Sequence, residues 1–279
     1  MRDLFDPEPV PRDASADRIV LGTSGYSFAD WVGPFYPPGL QARDYLPFYA
    51  RHFHAVEVNA TYYRMPDAPM LQRMERKTPP GFRFVVKLNQ AMTHESSRDP
   101  ALYREFIAAL QPLKDAGKYD GLLAQFPWAF QRNDESRRHL AAMRELLQGE
   151  PLFVEFRHAS WLTPELEPSL REHKIGYCAV DEPALPGLIP PVTMVTAEDA
   201  YVRFHGRNER TWWGRGEGAG DRYDYDYKEA ELKEWVRKVA ELAEQARRTY
   251  LFFNNCHAGQ AARNAKLMQE LLRQQNLPA

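Results

Sequence analysis

Residues 200–215, AYVRFHGRNERTWWGR, place a guanidinium and an imidazole two positions apart. Tyr201, Arg203 and His205 alternate with Val202 and Phe204, the period-two pattern of a strand. Burying Arg203 and His205 on one strand face is costly, so each needs a partner. The pattern breaks at Gly206 into a stretch carrying Arg207, Asn208, Arg210, Trp212, Trp213 and Arg215, with glycines at 214, 216, 218 and 220. Polar groups at a strand end, followed by a long aromatic and basic loop over 206–227, predict a site and its lid.

The same reading by one parity, applied to the other apolar runs, collects a polar set late in each. It gives Glu57 and Asn59, Lys87 and Asn89, Gln125, Glu155 and Arg157, Asp181, and Asn254. Acid/base chemistry follows from these types. Glu57, Glu155 and His205 are the candidates for proton transfer, with Lys87 beside the carboxylates as the fourth catalytic candidate. Lys87, Arg157, Arg203 and Arg207 suit an anionic group, phosphate or carboxylate. Asn59, Asn208, Asn254 and Asn255 would orient a ligand, with Gln125 and Asp181 completing its polar contacts. Tyr62, Trp161 and Trp213, with Tyr26, Trp31, Tyr63 and Trp128, would give the mouth aromatic walls. The competing structural reading is a self-neutralising network of Glu57, Glu155 and Asp181 with Lys87, Arg157 and Arg203.

Two other function classes remain open. The arginines and tryptophans of 203–215 could stack on and neutralise a nucleotide or nucleic acid. A metal-dependent hydrolase would draw on His94, His158 or His257 with Glu155 or Asp181, although Lys87 and Arg203 would oppose a dication. The favoured site holds no metal and no cofactor, and Ser24 and Cys256 lack the partners of a covalent triad.

Composition narrows the field. The chain has 279 residues, 44% of them hydrophobic, and a formal net charge of −2. That balance disfavours bulk electrostatic binding to nucleic acid or to an acidic membrane, while leaving room for a local basic patch. The two cysteines, Cys178 and Cys256, form neither a metal spacing nor a disulfide framework and read as reduced thiols. No run approaches membrane-spanning length, and the start lacks a signal-peptide core, so the expected compartment is the cytoplasm. No feature sets the oligomeric state.

Eight short apolar runs must position the polar set. They are Ile19–Thr23, Ala55–Asn59, Phe82–Leu88, Gly121–Phe126, Leu152–Arg157, Ile175–Asp181, Tyr201–His205 and Tyr250–Asn254. Helical periodicity fills Arg43–Phe53, Met70–Lys77, Ala101–Ala116, Glu135–Leu147, Pro164–His173 with Thr163 as its N-cap, Glu229–Arg247 and Gly259–Arg273. The link Glu182–Val195 is proline-rich and has no assigned element. Alternation of eight strands with helices predicts an α/β fold, one (β/α)₈ TIM-like barrel over 19–279 behind a mobile arm at 1–18. A doubly wound sheet would carry a Gly-rich first turn; GTSGYS at 22–27 is not GxGxxG, and no Walker pattern occurs.

Several stretches resemble the YecE-like family of unknown function (DUF72). They are GTSGYSFADWVGPFYP (22–37), VEVNATYYRMP (56–66), FRFVVKLNQAMTH (82–94), LLAQFPWAF (122–130), VEFRHASW (154–161), YVRFHGRN (201–208) and LFFNNCHAGQAARNA (251–265). The resemblance spans 19–272 and implies a TIM-like barrel without supplying a reaction. Its recurrent motif residues fall on Glu57, Asn59, Tyr62, Lys87, Gln125, Glu155, Arg157, Trp161, Arg203, His205, Asn208, Asn254, Asn255 and Asn264. The resulting expectation is an enzyme acting by general acid/base chemistry on a small phosphorylated or sugar-like metabolite at the carboxyl-end mouth.

Overall fold

The structure, a computed structural model, describes residues 18–214 and 221–277. Eight parallel strands close into a barrel in chain order, with the first beside the last. They are β1 (Ile19–Ser24), β2 (Ala55–Val58), β3 (Arg83–Lys87), β4 (Tyr119–Gln125), β5 (Leu152–Glu155), β6 (Ile175–Asp181), β7 (Ala200–Phe204) and β8 (Thr249–Phe253). Each expected run is a strand, Ile175–Asp181 to the residue and the others with an end moved by one or two residues. Around them lie α1 (Tyr45–Tyr49), α2 (Ala60–Tyr63), α3 (Ala68–Arg76), α4 (Gln90–Thr93) and α5 (Pro100–Ala109). The second half carries α6 (Gln111–Asp115), α7 (Asp134–Leu146), α8 (Leu166–Glu172), α9 (Glu229–Gln245) and α10 (Gln260–Gln274). No helix of the described residues is long and apolar enough to cross a membrane.

Proline explains two of the places where the helices depart from expectation. The helix expected over Ala101–Ala116 is two, α5 and α6, because Pro112 has no N–H to continue the ladder. A turn started at Pro164 would need the N–H of residue 168, which is also proline, so α8 begins at Leu166 and Thr163 is not its cap. The short α2 and α4 carry too few residues for a periodic signal. Where caps form they follow composition: Asp67 accepts from Met70 N–H at 2.7 Å, and Asn133 from Ser136 N–H at 2.9 Å. Of the arm expected over 1–18, only Arg18 is among the described residues; its guanidinium donates to the Ala243 carbonyl at 2.8 Å.

Paired positions of a parallel sheet share a face, so the register fixes what points inward. Ser24 pairs with Glu57, Glu57 with Val85, Gln125 with Glu155, Val180 with Arg203 and Arg203 with Phe252. The lower interior is aromatic: the rings of Phe153 and Tyr201 are 4.8 Å apart, and those of Tyr201 and Phe252 5.3 Å. Glycine makes room for them. A Cβ on Gly22 would stand 2.2 Å from the Ala55 carbonyl oxygen, and one on Gly176 2.5 Å from Phe153. Above these rings the inward positions turn polar.

Candidate functional site

Above the aromatic layer lies a buried lattice of charge. Arg203 spans the barrel from β7, donating to Glu57 at 2.6 Å, to Glu155 at 2.7 Å and to Ser24 Oγ at 3.3 Å. The second oxygen of Glu57 accepts from Tyr201 Oη at 2.7 Å. Arg157, just past β5, donates to Glu155 and, at 2.7 Å, to Glu182. Glu57, Glu155, Arg203 and His205 are sealed from solvent. Burial by itself would raise the Glu155 carboxyl, but Arg157, Arg203 and His205 outweigh it and hold the group well below the usual range. Such a carboxylate is a weak base. In Glu182 burial wins over Arg157 and pushes the carboxyl up to about 8.

His205 is neutral near pH 7. Burial and the Arg157 guanidinium lower its pKa to about 3, against an opposing pull from Glu155. Its Nδ1 faces Asn254 Nδ2 at 3.0 Å and Arg157 Nη2 at 3.4 Å, both donors, which places the proton on Nε2. Nε2 lies 3.3 Å from Glu155 Oε1 without the alignment of a hydrogen bond. Glu57, Glu155 and His205, expected to carry proton transfer, are thus enclosed and committed to partners within the barrel.

Lys87 stands differently. It is part-buried at the end of β3, donates to Gln125 Oε1 at 2.8 Å and lies 4.3 Å above the Tyr62 ring. Burial, then the nearby Arg203, lower its pKa to about 7, with Glu57 and Glu155 pulling the other way. Asn59, Tyr62, Gln125 and Asn254 are part-buried around the same opening. The Oδ1 of Asn59 is buried and has no hydrogen-bond partner among the described residues.

The mouth is unequal on its two sides. Over β5–β7 the chain after β7 forms a roof: Trp212 is buried, 5.6 Å from the Arg157 guanidinium, and Tyr223 is 6.1 Å from His205. The ends of β2, β3, β4 and β8 keep the part-exposed amides and Lys87. Arg215 and the glycines at 216, 218 and 220 lie outside the described residues.

Several expected site residues belong elsewhere. Cys178 and Val180 face inward on β6, so Asp181 points out, beneath α9. There its carboxylate accepts from Arg207 (2.7 and 2.9 Å), from Tyr227 Oη (2.7 Å) and from Trp235 Nε1. Arg207 is therefore spent on anchoring the loop, with Glu234 at 3.0 Å as a further partner. Asn255, one residue past the inward Asn254, faces α10 and binds Asn264 at 2.6 Å and the Tyr225 carbonyl at 2.8 Å. Asn208 donates to the Asp224 carbonyl at 3.0 Å, tying the loop to itself. Trp161 stacks on Phe156 at 4.1 Å and donates to the Phe130 carbonyl, packing loops rather than lining the mouth. Trp213 is half exposed on the rim, edge-on to Trp128 at 5.2 Å. The residue missed by the parity reading is Glu182, which takes the inward place assigned to Asp181. Counting by twos from Cys178 would have found it.

Among the described residues no three His, Cys, Asp or Glu side chains converge in a way that could hold a metal ion. His158 caps the turn before Trp161, and His257 faces Asp224 at 3.9 Å, so the loop histidines are dispersed. A cleft of about 750 Å³ opens on the outer wall between α7 and α8, lined by Arg132, Arg137, Arg138, Arg144 and Trp161 among others. It contains none of the polar residues at the strand ends.

A closed ring of eight parallel strands with a polar mouth at their carboxyl ends defines the class: a TIM-like barrel protein. Residues 20–279 match the family model "Protein of unknown function DUF72", and the chain belongs to that family. It is 32% identical over 269 residues to UPF0759 protein YunF of Bacillus subtilis (strain 168), covering 91% of this chain and 94% of YunF. UPF0759 protein YecE of Escherichia coli (strain K12) is 25% identical over 283 residues, 91% of this chain and 93% of YecE. The crystal structure of a DUF72 family protein from Thermotoga maritima MSB8 superposes with a TM-score of 0.84 at 41% identity, covering 91% of this chain and 99% of that one.

Proposed function

We propose that the protein is an enzyme that moves a proton on a small polar metabolite, sugar-like or anionic, bound at the open side of the barrel mouth. The observation that carries this reading is Lys87: an amine at a strand end, part-exposed, without a carboxylate partner among the described residues and with a pKa near 7. A group so poised serves as general base or acid at neutral pH. Asn59, Gln125 and Asn254 orient the ligand from the ends of β2, β4 and β8. Glu57, Arg203 and Glu155 beneath them are a fixed electrostatic floor that shapes the field at Lys87 and touches no substrate.

A thermal-shift screen of polar metabolites identifies ligands, since binding to the folded state raises apparent stability. Hits are expected to lose their effect in N59A. Turnover of a hit, if Lys87 is the base, rises with pH through about 7 and falls roughly 100-fold or more in K87M. Unchanged turnover in K87M, in a protein that still folds, removes the assignment.

A further inference from the structure

The way Lys87 is held supports a closer chemical assignment, one that rests on the function just proposed. We infer that Lys87 Nζ is a nucleophile that condenses with the carbonyl group of a small polyhydroxylated aldehyde or ketone, forming an imine at the barrel mouth.

A lysine kept for its charge is met by a carboxylate, whereas Lys87 has none within salt-bridge range among the described residues. It has one fixed acceptor, Gln125 Oε1 at 2.8 Å. That carboxamide is locked, because its Nε2 donates to the Phe126 carbonyl at 2.7 Å and keeps Oε1 turned to the lysine. A neutral amine in this setting spends one N–H on Gln125 and keeps its lone pair for attack. One step beyond the paired residues Val58 and Val86 lie Asn59 and Lys87, so the orphaned Oδ1 of Asn59 belongs to the same opening. A buried acceptor without a donor is matched by a hydroxyl, which points to a polyhydroxylated carbonyl compound over a plain one.

In the step itself the Nζ lone pair forms the C–N bond while the carbonyl π pair moves onto oxygen. The carbinolamine then loses that oxygen as water, with the two amine hydrogens, and C=N remains. No oxidant or reductant is needed. Once protonated, the imine nitrogen takes the place of the ammonium over the Tyr62 ring, whose face favours a cation.

The test treats the full-length protein with dihydroxyacetone and sodium cyanoborohydride at pH 7, then maps secondary amines by peptide mass spectrometry. One adduct per chain is expected, on Lys87, forming at least about tenfold faster than at any other lysine and absent in K87R. Labelling spread over exposed lysines, with Lys87 no faster than they are, overturns the inference; this outcome is read in the wild-type chain and needs no variant to fold. Acetic anhydride labelling of Lys87 against pH separates the two readings. A midpoint near 7 without a reductive adduct removes the imine and leaves proton transfer standing, whereas a midpoint at the ordinary lysine value removes both.

Discussion

Arg203 on β7 and Glu57 on β2 meet inside the barrel, Nη2 to Oε1 2.6 Å, with neither side chain open to water. The same guanidinium holds Glu155 on β5, so one arginine links three strands that are remote in sequence. A buried pair of this kind is weak evidence for stability, since desolvation offsets the attraction, but breaking it from one side is costly.

R203M is therefore expected to lose about 3–5 kcal/mol of unfolding free energy, because buried Glu57 loses its cation and Glu155 one of its two at the same time. Urea denaturation measures it. The double variant E57L/R203M should recover part of that loss; a double variant less stable than R203M would show that the lattice contributes net attraction.

The His205 imidazole sets an acid limb in stability. Its folded pKa of about 3 lies below the ordinary 6.5, so between those values the unfolded chain binds a proton that the folded one refuses. Stability conferred by neutral His205 is present above 6.5 and declines as pH falls toward 3, at up to about 1.4 kcal/mol per pH unit. Glu182 works the other way between 8 and 4.5, and Glu155 adds to the loss below 4.5. The expected outcome for H205Q is a stability relative to wild type that rises as pH falls from 6.5 to 4, because the His205 loss is gone, read by denaturant melts of both chains at each pH.

Lys87 carries the opposite cost. Its folded pKa of about 7 lies below 10.5, so at pH 7 and below folding forces a cation into an unfavourable place. K87M should gain roughly 0.5–2 kcal/mol at pH 6, with the gain shrinking as pH rises toward 10. A variant less stable than wild type at pH 6 would show that the amine is structural. Stability surrendered at a functional position is the expected mark of a working site.

Asp181 governs the loop rather than the mouth. D181A removes acceptors from Arg207, Tyr227 and Trp235 at once and is expected to cost about 2–4 kcal/mol. Hydrogen exchange should quicken at Gly206, whose N–H donates to Tyr227 Oη at 2.9 Å, and at Tyr225, whose N–H donates to Gln260. Unchanged protection at both amides would place the anchor elsewhere.

How much of this was legible depended on whether a strand showed its two faces. Glu57, Lys87, Glu155 and Arg203 could be assigned inward because polar residues alternate with apolar ones in β2, β3, β5 and β7. Strand β6 has no charged residue before Asp181 to mark its inner face, so Asp181 and Glu182 were indistinguishable until pairing with β7 fixed the register. Asn254 and Asn255 posed the same ambiguity at the end of β8. Helix ends were misjudged at Pro112 and Pro168, where a missing N–H overrides hydrophobic periodicity. The roof over Arg157 had no periodic signal at all, since loop packing is settled by tertiary fit.

Trp212 and Trp213, neighbours in sequence, sit in opposite surroundings, the first 2% exposed and the second 51%. Optically the pair is a gauge with its own reference. Trp212 emits from a dry interior beside a guanidinium, Trp213 from the aqueous rim. A chain retaining Trp212 as its sole fluorophore would shift toward the red and become open to acrylamide whenever the covering over Arg157 lifts, reporting passage into the barrel without any dye attached.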